Sequence, residues 1–383
     1  MEKKWVSIWG NALSRPEENP ERYARDLTLR YVITPSMDGE MIRLTFSNFD
    51  GYEEAVISTV TVAKTDSGSN RNVRKDSVSN VTFDGKRELH LVPGEIRKSD
   101  ALYFPVRRGE QISVSFYLNG YTDMGSGVST SGPLTIGYFA RGRYSDKLIF
   151  PAEVSKPIAT FYFLNTVDVL TNSQNKAIMV FGDSITQQSW PEHLTKRILR
   201  DDIEHIAIVR RAIGGNRVLR EYTHLENVHY GRRGIDRFLH DLELTEGVSG
   251  VIVLHGVNDL IHPEAGNFFR SPSDLPTAEE LINGLREYVR ISKEHGLWIK
   301  IGTITPFGKW CSYTDEKEQL RQQVNAWIRS NTEADGYMDF SELLTDPKEN
   351  RCLLPVYALN DGLHPSLAGA EHMAESIPAE WLV

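Results

Sequence analysis

The chain has 383 residues, 40% of them apolar and 25% charged, with a formal net charge of −9. That length suggests two domains or one large one, and the composition is that of a globular protein with a core. The acidic balance argues against nucleic acid as the main partner, because binding phosphates needs clustered positive charge.

No run of about 18 apolar residues occurs, so no membrane span is expected. Met1-Glu2-Lys3-Lys4-Trp5 carries basic residues with no apolar run behind them, which is not the pattern of a signal peptide. The expected location is cytoplasmic, or extracellular if a leader precedes this sequence. The two cysteines, Cys311 and Cys352, are expected to be reduced in a cytosolic protein, a single disulfide being the alternative.

Residues 1–171 read as strands. Leu27, Leu29, Tyr31 and Ile33 alternate with Thr28, Arg30 and Val32; the same period recurs at Ile42–Phe46 and Ile112–Leu118. Such alternation predicts strands with one buried face. Asp-Gly, Pro-Gly and Arg-Gly pairs between them mark turns. The reading is an antiparallel β-sandwich or jelly roll. Two polar stretches, 67–80 and 121–132, read as exposed loops. Trp5, Trp9 and Tyr103 can line a sugar-binding face or serve as plain core and edge residues. No metal-ligand spacing of His, Cys and carboxylates appears in this half. The half can bind carbohydrate, wall one side of an active site, or only stabilise its neighbour.

Residues 172–383 change pattern. Short apolar runs at Ala177–Phe181, Ile206–Arg210, Gly250–His255, Trp298–Thr303 and Tyr337–Phe340 predict strands buried on both faces. Helical patterns lie between them: Trp190–Asp202, a capping box at Thr277 and Glu280, and Leu367–Ile377. Strands alternating with helices predict a parallel sheet with right-handed crossovers. Ligands bind such sheets at the carboxyl ends of the strands. Those ends carry Asp183-Ser184, Gly214-Gly215-Asn216, Gly256-Val257-Asn258-Asp259 and Thr305-Pro306-Phe307-Gly308. A long loop after the fifth strand ends in Asp361-Gly362-Leu363-His364.

Acyl transfer needs a nucleophile, a base, a group that orients the base, and donors for the oxyanion. Ser184 can be the nucleophile, on a turn between a buried strand and a helix. His364 can be the base, with Asp361 fixing its tautomer. The backbone N–H groups of Ser184 and Gly215 and the Asn258 amide can form the oxyanion hole. Each has a plain structural counterpart. Ser184 can cap a helix, Gly214-Gly215 can be a tight turn, and Asn258-Asp259 can cap another helix. Asp361 and His364 can be loop residues before a cap at Ser366.

The four blocks Gly182-Asp183-Ser184, Gly215-Asn216, Gly256-Val257-Asn258-Asp259 and Asp361-Gly362-Leu363-His364 resemble those of the SGNH, or GDSL, hydrolases. Trp5–Gly10, Arg30, Ser47-Asn48 and Ser99-Asp100 look like the β-rich N-terminal half of two-domain bacterial members. The resemblance implies a flavodoxin-like catalytic domain over 172–383, behind a sandwich domain over 1–171. It implies ester hydrolysis with the roles given above and no metal or organic cofactor. The expected substrate is a small-molecule or oligosaccharide ester, best guessed as a short acyl ester, acetyl on a carbohydrate. The alternatives are a lipase, lysophospholipase or arylesterase, and a carbohydrate-binding protein on an inactive scaffold. Asp183, Asn216, His255, Trp190, Phe307 and Trp310 are candidates to touch substrate, each also readable as packing. Arg210, Arg211, Arg217, Arg220, Arg232 and Arg233 form a basic stretch that can attract an anion or be ion-paired surface.

Overall fold

A computed structural model describes residues 2–16, 23–222, 225–264 and 270–382. Two compact units emerge: Met1–Ala177 with Ile198–Val209, and Ile178–Arg197 with Arg210–Val383. Among the described residues no helix is long and apolar enough to cross a membrane. Cys311 is exposed, Cys352 is buried, and both are free.

The first unit holds two large antiparallel sheets. In one, Leu164–Asn172 lies between Lys3–Gly10 and Gly39–Ser47. Ile96–Lys98 and Leu102–Val106 both pair with Gly39–Ser47. In the other, Leu27–Ile33 lies between Ile136–Arg141 and Ile112–Leu118, and Thr59–Asp66 follows. Phe46 of the first sheet meets Phe116 of the second edge-on, ring centroids 5.4 Å apart.

The alternation at Leu27–Ile33 predicts one buried face, yet all seven residues are buried. Arg30 explains it. Its guanidinium donates to Ser115 Oγ at 2.8 Å and to the carbonyls of Arg71, Tyr144 and Lys147 at 2.6, 3.1 and 2.9 Å. A buried charge with its donors used is tolerated where an unpaired one is not.

The two stretches read as loops are partly strands. Ser69–Val73 and Ser79–Val81 both pair with Thr59–Asp66. Thr122–Asp123 and Gly127–Ser129 pair with Tyr23–Ala24 and Thr160–Tyr162. Polar edge strands carry no alternation, so composition misreads them even where, as at Ser69–Val73, the partner is the preceding strand. Of the aromatics weighed as a sugar face, Trp9 packs on Phe161 at 5.2 Å, Trp5 lies 4.1 Å under Arg43, and Tyr103 is exposed.

The second unit is built on a five-stranded sheet. Its strands are β1 (Lys176–Gly182), β2 (Ile206–Ala212), β3 (Val248–Leu254), β4 (Trp298–Gly302) and β5 (Tyr337–Met338), in the order β2-β1-β3-β4-β5. β3 and β4 pair parallel, as do β4 and β5. Six of seven residues of β1 and all seven of β2 are buried, Arg210 and Arg211 included. The helices are α1 (Ser184–Gln187), α2 (Trp190–Arg200), α3 (Gly234–Glu243), α4 (Val257–Ile261), α5 (Ala278–Glu294), α6 (Asp315–Ser330), α7 (Phe340–Leu344) and α8 (Leu367–Ser376). The capping box forms as expected at Thr277 and Glu280, starting α5. Ser366 caps α8 through Gly369 N–H.

Candidate active site

β1 ends at Gly182, where no side chain fits. A Cβ there would lie 2.1 Å from the Leu254 carbonyl oxygen and 2.8 Å from Thr186 Oγ1. Asp183 then caps α1, its carboxylate accepting Ile185 N–H at 3.0 Å. Ser184 therefore is not the cap. It is the first residue of the helix and is half-buried. Burial pushes the Asp183 carboxyl up to about 7, against the opposing Ile185 N–H.

Ser184 Oγ lies 2.7 Å from His364 Nε2, and His364 Nδ1 lies 2.7 Å from Asp361 Oδ2. The Asp361 carboxylate does two jobs. Oδ2 holds the ring, while Oδ1 accepts the backbone N–H groups of Leu363 and His364 at 2.9 and 3.0 Å. Partial burial raises the Asp361 carboxyl, but these N–H groups and the ring outweigh it, so it lies below the ordinary value. Leu359 N–H donates to the His364 carbonyl at 2.8 Å, and Ala358 bridges Pro365, which closes the loop.

The loop after β2 brings Gly215 to the same edge. Gly215 has φ +72°, and a Cβ there would lie 1.9 Å from Tyr230 Cδ1. Both facts demand glycine. A Cβ on Gly214 would stand 3.7 Å from Ser184 Cβ, which sets this loop against Ser184.

Asn258 and Asp259 do not cap α4; its cap is Gly256, at φ 120°. The Asn258 amide donates to the Asn216 carbonyl at 2.9 Å. Asp259 accepts Val218 N–H at 2.8 Å and Leu219 N–H at 3.0 Å. The end of β3 thereby fastens the loop that carries Gly215.

Four candidates for substrate contact are buried among protein groups. The Asn216 side chain is fully buried: its amide donates to the Tyr230 and Arg232 carbonyls at 2.6 and 2.7 Å, and its oxygen accepts from Arg237 Nε at 2.8 Å. Trp190 is buried and packs on Phe340, ring centroids 5.9 Å apart. Phe307 is buried and meets Tyr313. His255 is buried too, between Tyr288 Oη at 3.0 Å and the Asn216 carbonyl at 3.1 Å. Burial, with Arg237 nearby, pushes it down to about 3, so it is neutral. Trp310 differs: it is half-buried, and its ring stands edge-on to His364, centroids 6.4 Å apart. In the basic stretch, Arg210, Arg211 and Arg217 are buried, and Arg233 pairs with Asp236 at 2.6 Å.

One residue that organises the site has no motif to announce it. Arg237, on α3, is buried against the Phe181 ring at 3.9 Å. It donates to the Gly182 carbonyl at 2.7 Å, the Arg211 carbonyl at 3.2 Å and Asn216 Oδ1 at 2.8 Å. Asp241, four residues on, accepts from Nη1, the nitrogen that also serves the Arg211 carbonyl, at 2.5 Å. The ends of β1 and β2 and the glycine loop thus share one guanidinium. The only sequence signal is the Arg–Asp spacing of a helix face.

A serine hydroxyl beside an imidazole at the carboxyl edge of such a sheet is the equipment of a carboxylic ester hydrolase. The chain belongs to the GDSL-like lipase/acylhydrolase family, whose sequence model matches residues 180–372. No curated protein matches it. Among solved structures it is similar to a GDSL-like lipase from Bacteroides thetaiotaomicron, at 16% identity and TM-score 0.41 over 55% of this chain and 90% of that one. It is also similar to the lipase/acylhydrolase from Enterococcus faecalis, at 17% identity and TM-score 0.40 over 54% and 95%. A variant of an acetyl xylan esterase from Geobacillus stearothermophilus gives 18% identity and TM-score 0.41 over 54% and 94%.

Proposed function

We propose that this protein is a serine esterase that removes a short acyl group, acetyl on a carbohydrate, through an acyl-enzyme on Ser184. The observation that carries the reading is the relay of two 2.7 Å contacts from Ser184 through His364 to Asp361. His364 Nε2 takes the hydroxyl proton as Oγ attacks the ester carbonyl. The tetrahedral oxyanion faces the Ser184 and Gly215 N–H groups and the second N–H of the Asn258 amide. The alcohol leaves with the proton from His364. Water then repeats the sequence, giving the free acid and restoring Ser184. The intact relay counts against a binding protein on an inactive scaffold.

Two features support a sugar ester. The relay is open to solvent, its His364 and Asp361 side chains 17% and 35% exposed. Beside it stands Trp310, a flat apolar surface of the kind on which a pyranose face stacks. A second reading, a lipase or lysophospholipase, draws on Val356, Leu359 and Leu367, all exposed apolar residues flanking the His364 loop. The strand order β2-β1-β3-β4-β5 supports a flavodoxin-like catalytic domain over 172–383. The Phe46–Phe116 contact supports a sandwich over 1–171.

The test is direct. Ser184→Ala should remove turnover of nitrophenyl acetate by several orders of magnitude with the melting temperature unchanged. A fluorophosphonate should label Ser184. Near-normal turnover in folded Ser184→Ala protein would end the reading. A series of acyl lengths decides the class: activity falling beyond four carbons supports acetyl or a similar short acyl group, and activity rising with length supports the lipid reading.

A further inference from the structure

The first unit carries a polar and aromatic patch that the ester chemistry does not use. Tyr23–Ala24 pairs with Thr122–Asp123, Tyr23 standing opposite Asp123. Beside that pairing the Tyr23 and Tyr121 rings stack, centroids 4.5 Å apart and 19° from parallel. Tyr52 joins them from a neighbouring turn. The Arg15 guanidinium lies 4.0 Å from its ring centroid, and Tyr23 Oη donates to Glu53 Oε1 at 3.3 Å. Tyr52 is 54% exposed and Tyr121 is 65% exposed. Each ring has one face covered, by Arg15 or by Tyr23, and each residue is more than half exposed.

Two charged side chains complete the patch. Those of Asp123 and Arg15 are 2% and 16% exposed, and their nearest atoms, Nη2 and Oδ2, are 4.0 Å apart. That is too long for a hydrogen bond. Asp123 Oδ1 and Arg15 Nη1 are both buried with no hydrogen-bond partner. Buried donors and acceptors are normally paired, because an unpaired one costs free energy. Stability alone does not account for two such atoms on adjacent, oppositely charged groups.

The surroundings are rigid and trimmed. Asn48 Nδ2 donates to the Glu53 and Leu91 carbonyls, both at 2.9 Å, and so fixes the turn bearing Tyr52. A Cβ on Gly125 would lie 2.7 Å from Asp123 Oδ2 and 3.3 Å from Gly51 Cα. A side chain at position 125 would press on that carboxylate.

We propose that this patch binds a neutral saccharide chain. Sugar rings lay their C–H faces on Tyr52 and Tyr121, which give large contact areas at little cost in side-chain entropy. Their hydroxyls donate to the Asp123 carboxylate and accept from the Arg15 guanidinium once these side chains turn toward the sugar, as a hydroxyl can do both. One positive and one negative group offset each other, which favours a neutral sugar over a phosphate or uronate. The site consists of other residues than Ser184, His364 and Asp361, and the inference does not depend on the ester reading.

The test uses full-chain Ser184→Ala protein and calorimetric titration with unacetylated xylohexaose, mannohexaose and cellohexaose. At least one should bind. Adding Tyr52→Ala, Tyr121→Ala or Asp123→Asn should weaken that binding tenfold or more. The same three substitutions in active protein should leave nitrophenyl acetate turnover within twofold. Both tyrosines are exposed, so their variants read the site even if Asp123→Asn fails to fold. No binding of any hexasaccharide, or binding unchanged by both tyrosine substitutions, overturns the proposal. Loss of the ester reading with this binding intact leaves it standing.

Discussion

The side-chain amide of Asn258 donates to the backbone carbonyl of Asn216 across 2.9 Å. One of its two N–H groups is thus committed to holding the glycine loop, and the other is the one that can serve an oxyanion. Asn258→Ala should cost about 1 kcal/mol of stability for the lost hydrogen bond. Turnover should fall on the order of a hundredfold, with little change in KM. Asn258→Asp sets a carboxylate against the Asn216 carbonyl, so both melting temperature and turnover should drop. Melting curves and steady-state kinetics check this. Turnover of Asn258→Ala within tenfold of the parent would leave Asn258 a purely structural residue.

Arg237 makes a second, sharper prediction. Lysine cannot reproduce a guanidinium fork that reaches four acceptors. Arg237→Lys should therefore lower the melting temperature strongly. Since the Gly182 and Asn216 bonds position the nucleophile turn and the glycine loop, kcat should fall more than KM rises. A stable, fully active Arg237→Lys would show that these strand ends are held by packing alone.

Gly215 is constrained twice, by its φ of +72° and by the Tyr230 ring. Gly215→Ala should lose turnover on the order of a hundredfold, the value of one oxyanion donor. Adding Tyr230→Ala removes the clash but not the backbone strain, so the double variant should recover only part of the loss. Complete recovery would mean that the ring, and not the backbone conformation, is what demands glycine.

Buried groups give the stability a pH dependence of mixed sign. Asp183 is raised from 3.8 to about 7 by burial. The folded chain holds a proton that the unfolded chain releases, so this stability is full below about pH 4 and is lost as pH rises toward 7. His255 and His262 are pushed from 6.5 down to about 3, by burial first and nearby arginines second. Their contribution is present above about pH 6.5 and is lost as pH falls toward 3. Between pH 7 and 4 the two effects oppose each other. Asp183→Asn removes the compensating one, so its melting temperature should fall more steeply on acidification than that of the parent. Equal slopes would show that Asp183 is not raised by folding and stays ionised down to about pH 4.

Much of the catalytic unit was legible because its signals are local. Five apolar runs became five strands, and the motif residues fall at their ends. Asp361 and His364 interact three residues apart, within one loop. What failed was non-local. Asn216 belongs to a recognisable block and His255 directly precedes one, yet both face partners on other elements that no spacing reveals. Trp190 and Phe307 looked like pocket walls only because aromatic residues suit either setting. Arg237 was missed because a buried arginine is written in sequence like any surface one. Polar edge strands at Ser69–Val73 and Ser79–Val81 were hidden because they carry no apolar alternation, although both pair with the nearby Thr59–Asp66.

The relay has one stiff joint and one soft joint. Asp361 and His364 are three positions apart in a loop that Asp361 itself ties, so their alignment survives as long as that turn does. Ser184 and His364 are 180 positions apart, and their contact depends on everything packed between β1 and that loop. Warming short of unfolding should therefore part the hydroxyl from the imidazole before it parts the imidazole from its carboxylate. The histidine stays correctly poised while the nucleophile drifts out of reach, and cooling lets it return without any loop having to refold.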